Sequence, residues 1–243
     1  CFDVKEDKLK DCVYGIKGLD IKGCNVTIPH KVNIIKYLDS IDDNAKLIGA
    51  VNTIKNKGGI LKGYNTDGRG FVKSIFDKDY DIKNKKVMII GAGGACRSIA
   101  IEMASQGVKS IEIRNRSLDR ANEIIDSINK NFNTEANCSK DAIDSNCLMD
   151  IDILINTTPI GMESDLCPID TNIVIDKKLL VCDIVYKPQD TVFLKWAKKN
   201  NLEIIYGIDM LINQALEAFY IWTGINPCNE DFEHIKKLYE NSI

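Results

Sequence analysis

The sequence predicts an α/β protein in two units, a doubly wound parallel-sheet domain and a smaller α/β domain, with a cleft between them. Three observations carry that prediction. A short apolar run, Val87 to Ile90, breaks into the glycine-rich turn GAGGA and a helix. Similar buried runs recur at Ser110 to Ile113, Ile151 to Ile155, Leu180 to Val185 and Leu202 to Tyr206, alternating with amphipathic stretches. A separate strand and hairpin pattern lies before residue 67, outside that alternation.

The central stretch is Lys86 to Ser98, KVMIIGAGGACRS. The apolar run is too short for a helix and ends at glycine, so it reads as a buried parallel strand. Gly91 and Gly93 can adopt positive φ and let the backbone approach a ligand, with Cys96 in the third small-residue slot of G-x-G-x-x-[GA]. The helix expected from Ala95 to Gln106 offers free N–H groups and its positive dipole end, over Gly91, Ala92, Gly93, Gly94 and Ala95, to a pyrophosphate. After the second strand comes Arg114-Asn115-Arg116-Ser117, with Arg120 one helical turn beyond Arg116. A 2′-hydroxyl there requires an acid and a 2′-phosphate requires positive charge, so the expected cofactor is NADP rather than NAD. The competing reading makes these arginines solvated surface charges, and Asp119 between them belongs to it.

The chain of 243 residues carries a net charge of −3, which leaves no basic footprint for nucleic acid. No run is long enough to span a bilayer and no secretory signal is visible. Nine cysteines form no C-x-x-C and no metal spacing, and only two histidines are available, so no metal is expected. Free thiols point to a reducing cytoplasm.

Taken in order, Cys1 to Val4 reads as a strand. An amphipathic helix follows around Leu9, Val13 and Ile16, and CNVTI is expected to return as a parallel strand of the same sheet. The opening is not methionine, and something is expected to precede it. Pro29 suits a first helical position, which places Lys31 in the first turn, a cation against the helix dipole and so suited to passing a proton. That helix is read on through Leu38, with Ser40 to Asp43 a polar break. GAVNTI and the turn Asn56-Lys57-Gly58-Gly59 make a hairpin. Thr66 or Asp67 is the expected N-cap of the next helix. Beyond Arg120, a helix over Ala121 to Ile128 leads into Asn131 to Asn146, which is polar and unpatterned. Asn156 to Met162 is a loop at a strand's carboxyl end, where open sheets bind ligands. Thr191 caps a helix carrying Phe193, Leu194 and Trp196. In the helix Asp209 to Thr223, Met210, Leu211, Ala215, Ala218, Phe219 and Trp222 read as one apolar face, with Gln214 in its middle needing a polar partner.

Together, GCNVTIPHK, GAVNTI, GYNTDGRG, GAGGACRS, NRSLDRA, INTTPIGM, DIVYKPQDT and GIDMLINQALEAFYIWTG resemble, in that order, the signatures of the shikimate dehydrogenase family. The resemblance implies a Rossmann-like NADP-binding domain, residues 67–207, and a discontinuous substrate-binding domain, residues 1–66 and 208–243. It implies NADP-dependent interconversion of 3-dehydroshikimate and shikimate in aromatic amino-acid biosynthesis, by a monomer or homodimer. Lys31 matches the family's acid/base lysine and Asp67 its partner. Thr27, Asn52, Tyr186 and Gln214 match substrate contacts. Gly91 to Ala95, Asn115, Arg116, Ser117 and Arg120 match the cofactor clamp, with Ile184, Gly207 and Asp43 as further cofactor candidates. Family members open with a strand and an S-x-S-P loop that binds the substrate carboxylate. The expectation is that this segment precedes Cys1 in the complete molecule. Two alternatives remain open: a quinate/shikimate dehydrogenase using NAD as well, and a non-catalytic NADP-binding regulator. A cleft of this kind is expected to close around its ligands.

Overall fold

Two sheets, each with its own hydrophobic core, organise the computed structural model, which describes residues 1–241. The chain enters without regular structure through residue 5, makes a 3-10 turn, Glu6–Lys8, and continues as α1, Leu9–Gly18. Leu9, Val13 and Ile16 are the buried side of α1, as their spacing predicts. The strand expected over Cys1 to Val4 is not formed. Phe2 is 90% exposed, and the Val4 carbonyl accepts from the His30 ring instead of joining a ladder. Consequently β1, Gly23–Asn25, has no parallel mate among the described residues and pairs antiparallel with β3, Thr53–Lys57. Between them lie the single turn α2, His30–Asn33, a 3-10 turn, Ile34–Tyr37, β2, Ser40–Ile41, and α3, Asp43–Ile48. The expected helix through Leu38 therefore stops early, because Leu38 is extended and leads into β2. The expected polar break is itself β2, which pairs parallel with β4, Ile60–Tyr64. The hairpin between β3 and β4 turns on Gly58 and Gly59, both at positive φ, with Lys57 opposite Ile60. That is the twist a two-residue hairpin loop demands. The sheet order is β1-β3-β4-β2.

The chain continues through α4, Asp67–Phe76, into β5, Lys86–Ile90, α5, Gly94–Ser105, β6, Ser110–Arg114, and α6, Leu118–Asn131. Next come β7, Glu135–Ser139, α7, Ser145–Met149, β8, Ile153–Asn156, β9, Leu180–Asp183, α8, Val192–Lys199, and β10, Glu203–Ile205. The strands β5 to β10 form the second sheet and are all parallel, in the order β10-β9-β8-β5-β6-β7. The order reverses between β5 and β8, so their carboxyl ends frame the crevice where such sheets take ligands. Along β5, Val87 and Ile89 join one core with Phe71, Ile99 and Ile111, while Met88 and Ile90 join the other with Leu154, Val181 and Phe193. The segment read as unpatterned contains β7 and α7. As an edge strand, β7 is at most partly buried, so it carries no apolar run.

The chain closes with α9, Gly207–Thr223, and α10, Asn229–Glu240. The buried side of α9 is Ile208, Asp209, Ile212, Asn213, Leu216, Ala218 and Ile221; of the face expected from Met210 to Trp222, Ala218 is buried while Leu211 and Phe219 are exposed. The reason is the crossing with α4. Gly70 lies so close to α9 that a Cβ there would meet the Gln214 backbone nitrogen at 2.4 Å, and Met210, Leu211 and Gln214 line the cleft beside that crossing.

Candidate active site

A cleft of about 330 Å³ opens between the two sheets, lined by Thr27, Lys31, Asn52, Asp67, Ile184, Tyr186, Gly207 and Gln214 among the sequence-predicted residues. Lys31 reaches it from α2. This helix has four residues, so the dipole set against the ammonium is that of one turn rather than of the longer helix expected. The Lys31 Nζ donates to Asp67 Oδ2 at 2.7 Å, with side chains 27% and 16% exposed. Partial burial on both sides lowers screening without removing water. Asp67 Oδ1 accepts from Asn52 Nδ2 at 2.8 Å.

The expected side-chain cap of α4 is absent. Thr66 stands at the N-cap position, but neither it nor Asp67 caps with its side chain. Both side chains are engaged by Asn52 instead, and Asn65 Oδ1 accepts from the Asp67 N–H at 3.1 Å. Asn52 is the hub of this region. Its Nδ2 also donates to Thr66 Oγ1 at 3.0 Å, and its Oδ1 accepts from the Thr66 N–H at 2.9 Å. Thr66 Oγ1 lies 3.4 Å from Gln214 Oε1, and Gln214 Nε2 donates to the Leu211 carbonyl. Gln214 is half-exposed at the cleft wall rather than buried within an apolar face.

The opposite wall belongs to the carboxyl ends of the parallel strands. Ile184 follows β9, and Gly207, at the start of α9, approaches it so closely that a Cβ would meet the Ile184 carbonyl at 2.5 Å. Buried Asp183 holds this wall: it accepts from the Val185 N–H, from Asn156 Nδ2 and from the Thr191 hydroxyl, the last at 2.7 Å. Burial pushes its carboxyl above the usual aspartate range, and those three bonds pull it back. Thr191 also caps α8, as the sequence indicates. Tyr186 is 39% exposed, with its carbonyl accepting from Tyr239.

The glycine turn adjoins this wall through the loop after β8. Gly91 takes φ +105°, and a Cβ there would meet Thr157 Oγ1 at 2.8 Å. Gly93 is not in the left-handed region; it is the extended N-cap of α5 at φ −90°. At Gly93 and Gly94 an added Cβ would meet nothing within 4 Å, so the backbone there faces open space. Cys96 is fully buried, its thiol pushed up to about 12 by burial. Ala92, Ile184 and Met210 pack on the same core, which links turn and cleft. Arg116 precedes α6 instead of lying on it, because Ser117 is the N-cap, so Arg116 and Arg120 are not a helical i,i+4 pair. Both are exposed and neither has an ion-pair partner among the described residues, whereas Arg114 is committed to Glu112 and to Ser139 and Asp141 of the β7 edge. Asn115 Nδ2 folds back on the Ser117 carbonyl. Asp43 does not line the cleft; it sits on the first turn of α3, paired with Lys46, whose ammonium holds its carboxyl below the usual range.

Sequence reasoning missed Asn25, Val26, Met210 and Leu211 in the lining. Two periodicities point to them: Asn25 and Thr27 are two apart along extended chain, and Met210 and Gln214 are four apart on α9.

Comparison with known proteins decides the family. Residues 1–54 match the shikimate dehydrogenase substrate-binding domain, 71–184 the shikimate/quinate 5-dehydrogenase domain, and 207–227 the shikimate 5′-dehydrogenase C-terminal domain. A shikimate dehydrogenase (NADP(+)) of Caldanaerobacter subterraneus is 43% identical over 226 residues, 92% of this chain and 80% of that protein. The chain belongs to the shikimate dehydrogenase family. Among solved structures, the shikimate 5-dehydrogenase of Listeria monocytogenes in complex with shikimate and NAD superposes with a TM-score of 0.89 at 34% identity, over 96% of this chain and 84% of that one. A shikimate dehydrogenase in complex with NADP+ gives 0.84 at 41% identity, over 97% and 83%. The α/β fold of a shikimate dehydrogenase, a Rossmann-like sheet beside a substrate-binding unit, is thus the fold of this chain.

Proposed function

We propose that this chain is an NADP-dependent oxidoreductase that interconverts shikimate and 3-dehydroshikimate in aromatic amino-acid biosynthesis, with Lys31 carrying the proton and Asp67 as its partner. The observation that supports this most is the Lys31–Asp67 contact of 2.7 Å inside the cleft between the two sheets. Residues 1–66 and 208–243 serve as the substrate-binding domain and 67–207 as the NADP-binding domain. The nine free thiols support a reducing, cytoplasmic setting. No helix among the described residues is long and apolar enough to cross a membrane.

The residues present fit NADP. Open space over Gly93 and Gly94, the free N–H groups at the start of α5, and the exposed Arg116 and Arg120, without an ion-pair partner among the described residues, offer what a pyrophosphate and a 2′-phosphate require. Gly91 to Ala95 would hold the pyrophosphate, Asn115 to Arg120 the 2′-phosphate, and Ile184 and Gly207 the nicotinamide end, with Asp43 at the periphery. When bound, the cofactor supplies or accepts the hydride.

The chain's own residues handle the proton. In reduction the ketone oxygen gains negative charge, and the Lys31 ammonium donates a proton to it; in oxidation the neutral amine takes that proton back. Asp67 accepts from Lys31 through Oδ2 and can accept a substrate hydroxyl, which fixes the reacting oxygen beside the amine through charge-assisted bonds. Thr27, Asn52, Tyr186 and Gln214 bear hydroxyl or amide groups suited to a polyol ring, and Asn52 also holds the Asp67 carboxylate. Mixing the protein with shikimate and NADP tests the reading. Growth of the reduced-nicotinamide absorbance with 3-dehydroshikimate as product, much faster than with NAD, is expected. Equal rates with NAD make the enzyme a relaxed quinate/shikimate type, and NADP binding without turnover makes it a regulator.

A further inference from the structure

The Asn52 side chain is 3% exposed, and every hydrogen-bonding position on its amide is filled from within the protein. Its two N–H bonds go to Thr66 Oγ1 and Asp67 Oδ1. Its oxygen accepts from the Thr66 N–H and from the Thr53 hydroxyl, both at 2.9 Å, with the Thr66 hydroxyl further off at 3.3 Å. A backbone N–H can only donate and a carboxylate can only accept, so these two partners alone fix which end of the amide faces Asp67. The Thr53 hydroxyl must then be the donor in its contact with Asn52, and its lone pairs are left for Asn25 Nδ2, which donates to it at 3.2 Å. Thr53 is completely buried at the start of β3, between Asn25 of β1 and Tyr64 of β4 in the ladder. Its χ1 is stiff because it is β-branched, so the hydroxyl is aimed by the strand itself. A chain of hydrogen bonds thus runs from Asn25 through Thr53, Asn52 and Asp67 to Lys31.

We infer that Thr53 is a positioning residue for the reaction: its hydroxyl locks the Asn52 amide and thereby holds the Asp67 carboxylate in line with Lys31. This rests on the reading of Lys31 and Asp67 as the proton-handling pair. Thr53 lies outside the cleft lining, and its effect passes through Asn52. Removing its hydroxyl leaves that buried oxygen with the Thr66 N–H and only the longer Thr66 hydroxyl contact, so the amide is held less firmly against Asp67. A misaimed carboxylate slows the chemical step, while the NADP site on the other sheet is untouched.

The test compares Thr53→Val, Thr53→Ser and Lys31→Ala in the full chain, measuring kcat, KM for shikimate, Kd for NADP and Tm. Thr53→Val is nearly isosteric and is expected to lower kcat about tenfold, the rate equivalent of one hydrogen bond, with Kd for NADP within about twofold of wild type. Thr53→Ser, which keeps the donor, is expected to recover most of kcat. Two results overturn the inference: wild-type kcat in Thr53→Val beside an inactive Lys31→Ala, or a loss of kcat that Thr53→Ser fails to rescue while Tm and NADP affinity fall in step. Full activity in Lys31→Ala instead removes the pair on which it rests. If Thr53→Val does not fold, Thr53→Cys decides: kcat several-fold below that of Thr53→Ser supports the inference, and equal kcat overturns it.

Discussion

The central strands of the six-stranded sheet are buried on both faces, whereas those of the four-stranded sheet, β3 and β4, mix buried positions with partly and fully exposed ones. In β5, β8 and β9 nearly every residue is buried, and the buried polar groups of that sheet, Asn156, Thr157 and Asp183, stand at the carboxyl ends. In the smaller unit Asn52, Thr53, Asn56, Asn65 and Thr66 are all buried, four of them around the cleft-facing end of β3 and β4. Burying a polar side chain is costly unless its bonds are satisfied, so such groups concentrate where geometry must be fixed. The large sheet is a rigid platform whose ligand site is built from backbone turns. The small sheet gives up apolar area to hold a carboxylate and an ammonium in place. Perturbing the two should therefore fail differently, the first in cofactor affinity and stability, the second in turnover.

The largest expected effect lies at the carboxylate that opens α4 and is held by Asn52 of the small unit. Asp67→Asn keeps the shape and removes the charge, and kcat is expected to fall by about 10²- to 10⁴-fold, as for loss of a proton-handling group, with NADP affinity unchanged by titration. On the large sheet, Arg116→Ala combined with Arg120→Ala is expected to weaken NADP about ten- to hundredfold, the range for charge-assisted bonds, and to leave NAD binding as it was. Gly91→Val forces a side chain onto Thr157 at a φ of +105°. Thermal or denaturant unfolding should show a loss of about 1–3 kcal/mol, the usual cost of such backbone strain.

The smallest effect sharpens the comparison from within the platform. Because burial raises the Asp183 carboxyl, the native state holds that proton more tightly than the unfolded chain. Its contribution to stability is present below the ordinary aspartate value and is lost as pH rises through its own raised value. Denaturant titrations across that acidic window are expected to show wild-type stability declining by this component. In Asp183→Asn, which cannot ionise, the component is absent and the curve is flatter there.

The platform was legible in the sequence because its signals are local and redundant. Val87 to Ile90 with Gly91, the Gly107 stop at φ +81° and the Thr191 cap each declare an element without help from the rest of the chain. The hairpin at Gly58 and Gly59 was legible for the same reason. What escaped depends on pairing across the fold. Cys1 to Val4 has strand composition but no ladder partner, and Ser40–Ile41 has none of the composition yet pairs with β4. The buried side of α9 was misjudged because Gly70, far away in sequence, decides which side α4 covers. In the site, Lys31 and Asp67 were visible as candidates. The diversion of Thr66 and Asp67 from capping was not, since it takes Asn52 to draw them away.

The division of roles between the two sheets is tested most directly in Lys31→Ala, by measuring shikimate oxidation at saturating NADP together with the Kd for NADP on the same preparation. The account predicts turnover reduced by at least about 10²-fold with Kd within about twofold of wild type. Turnover near wild type, or a matching collapse of NADP affinity, contradicts it.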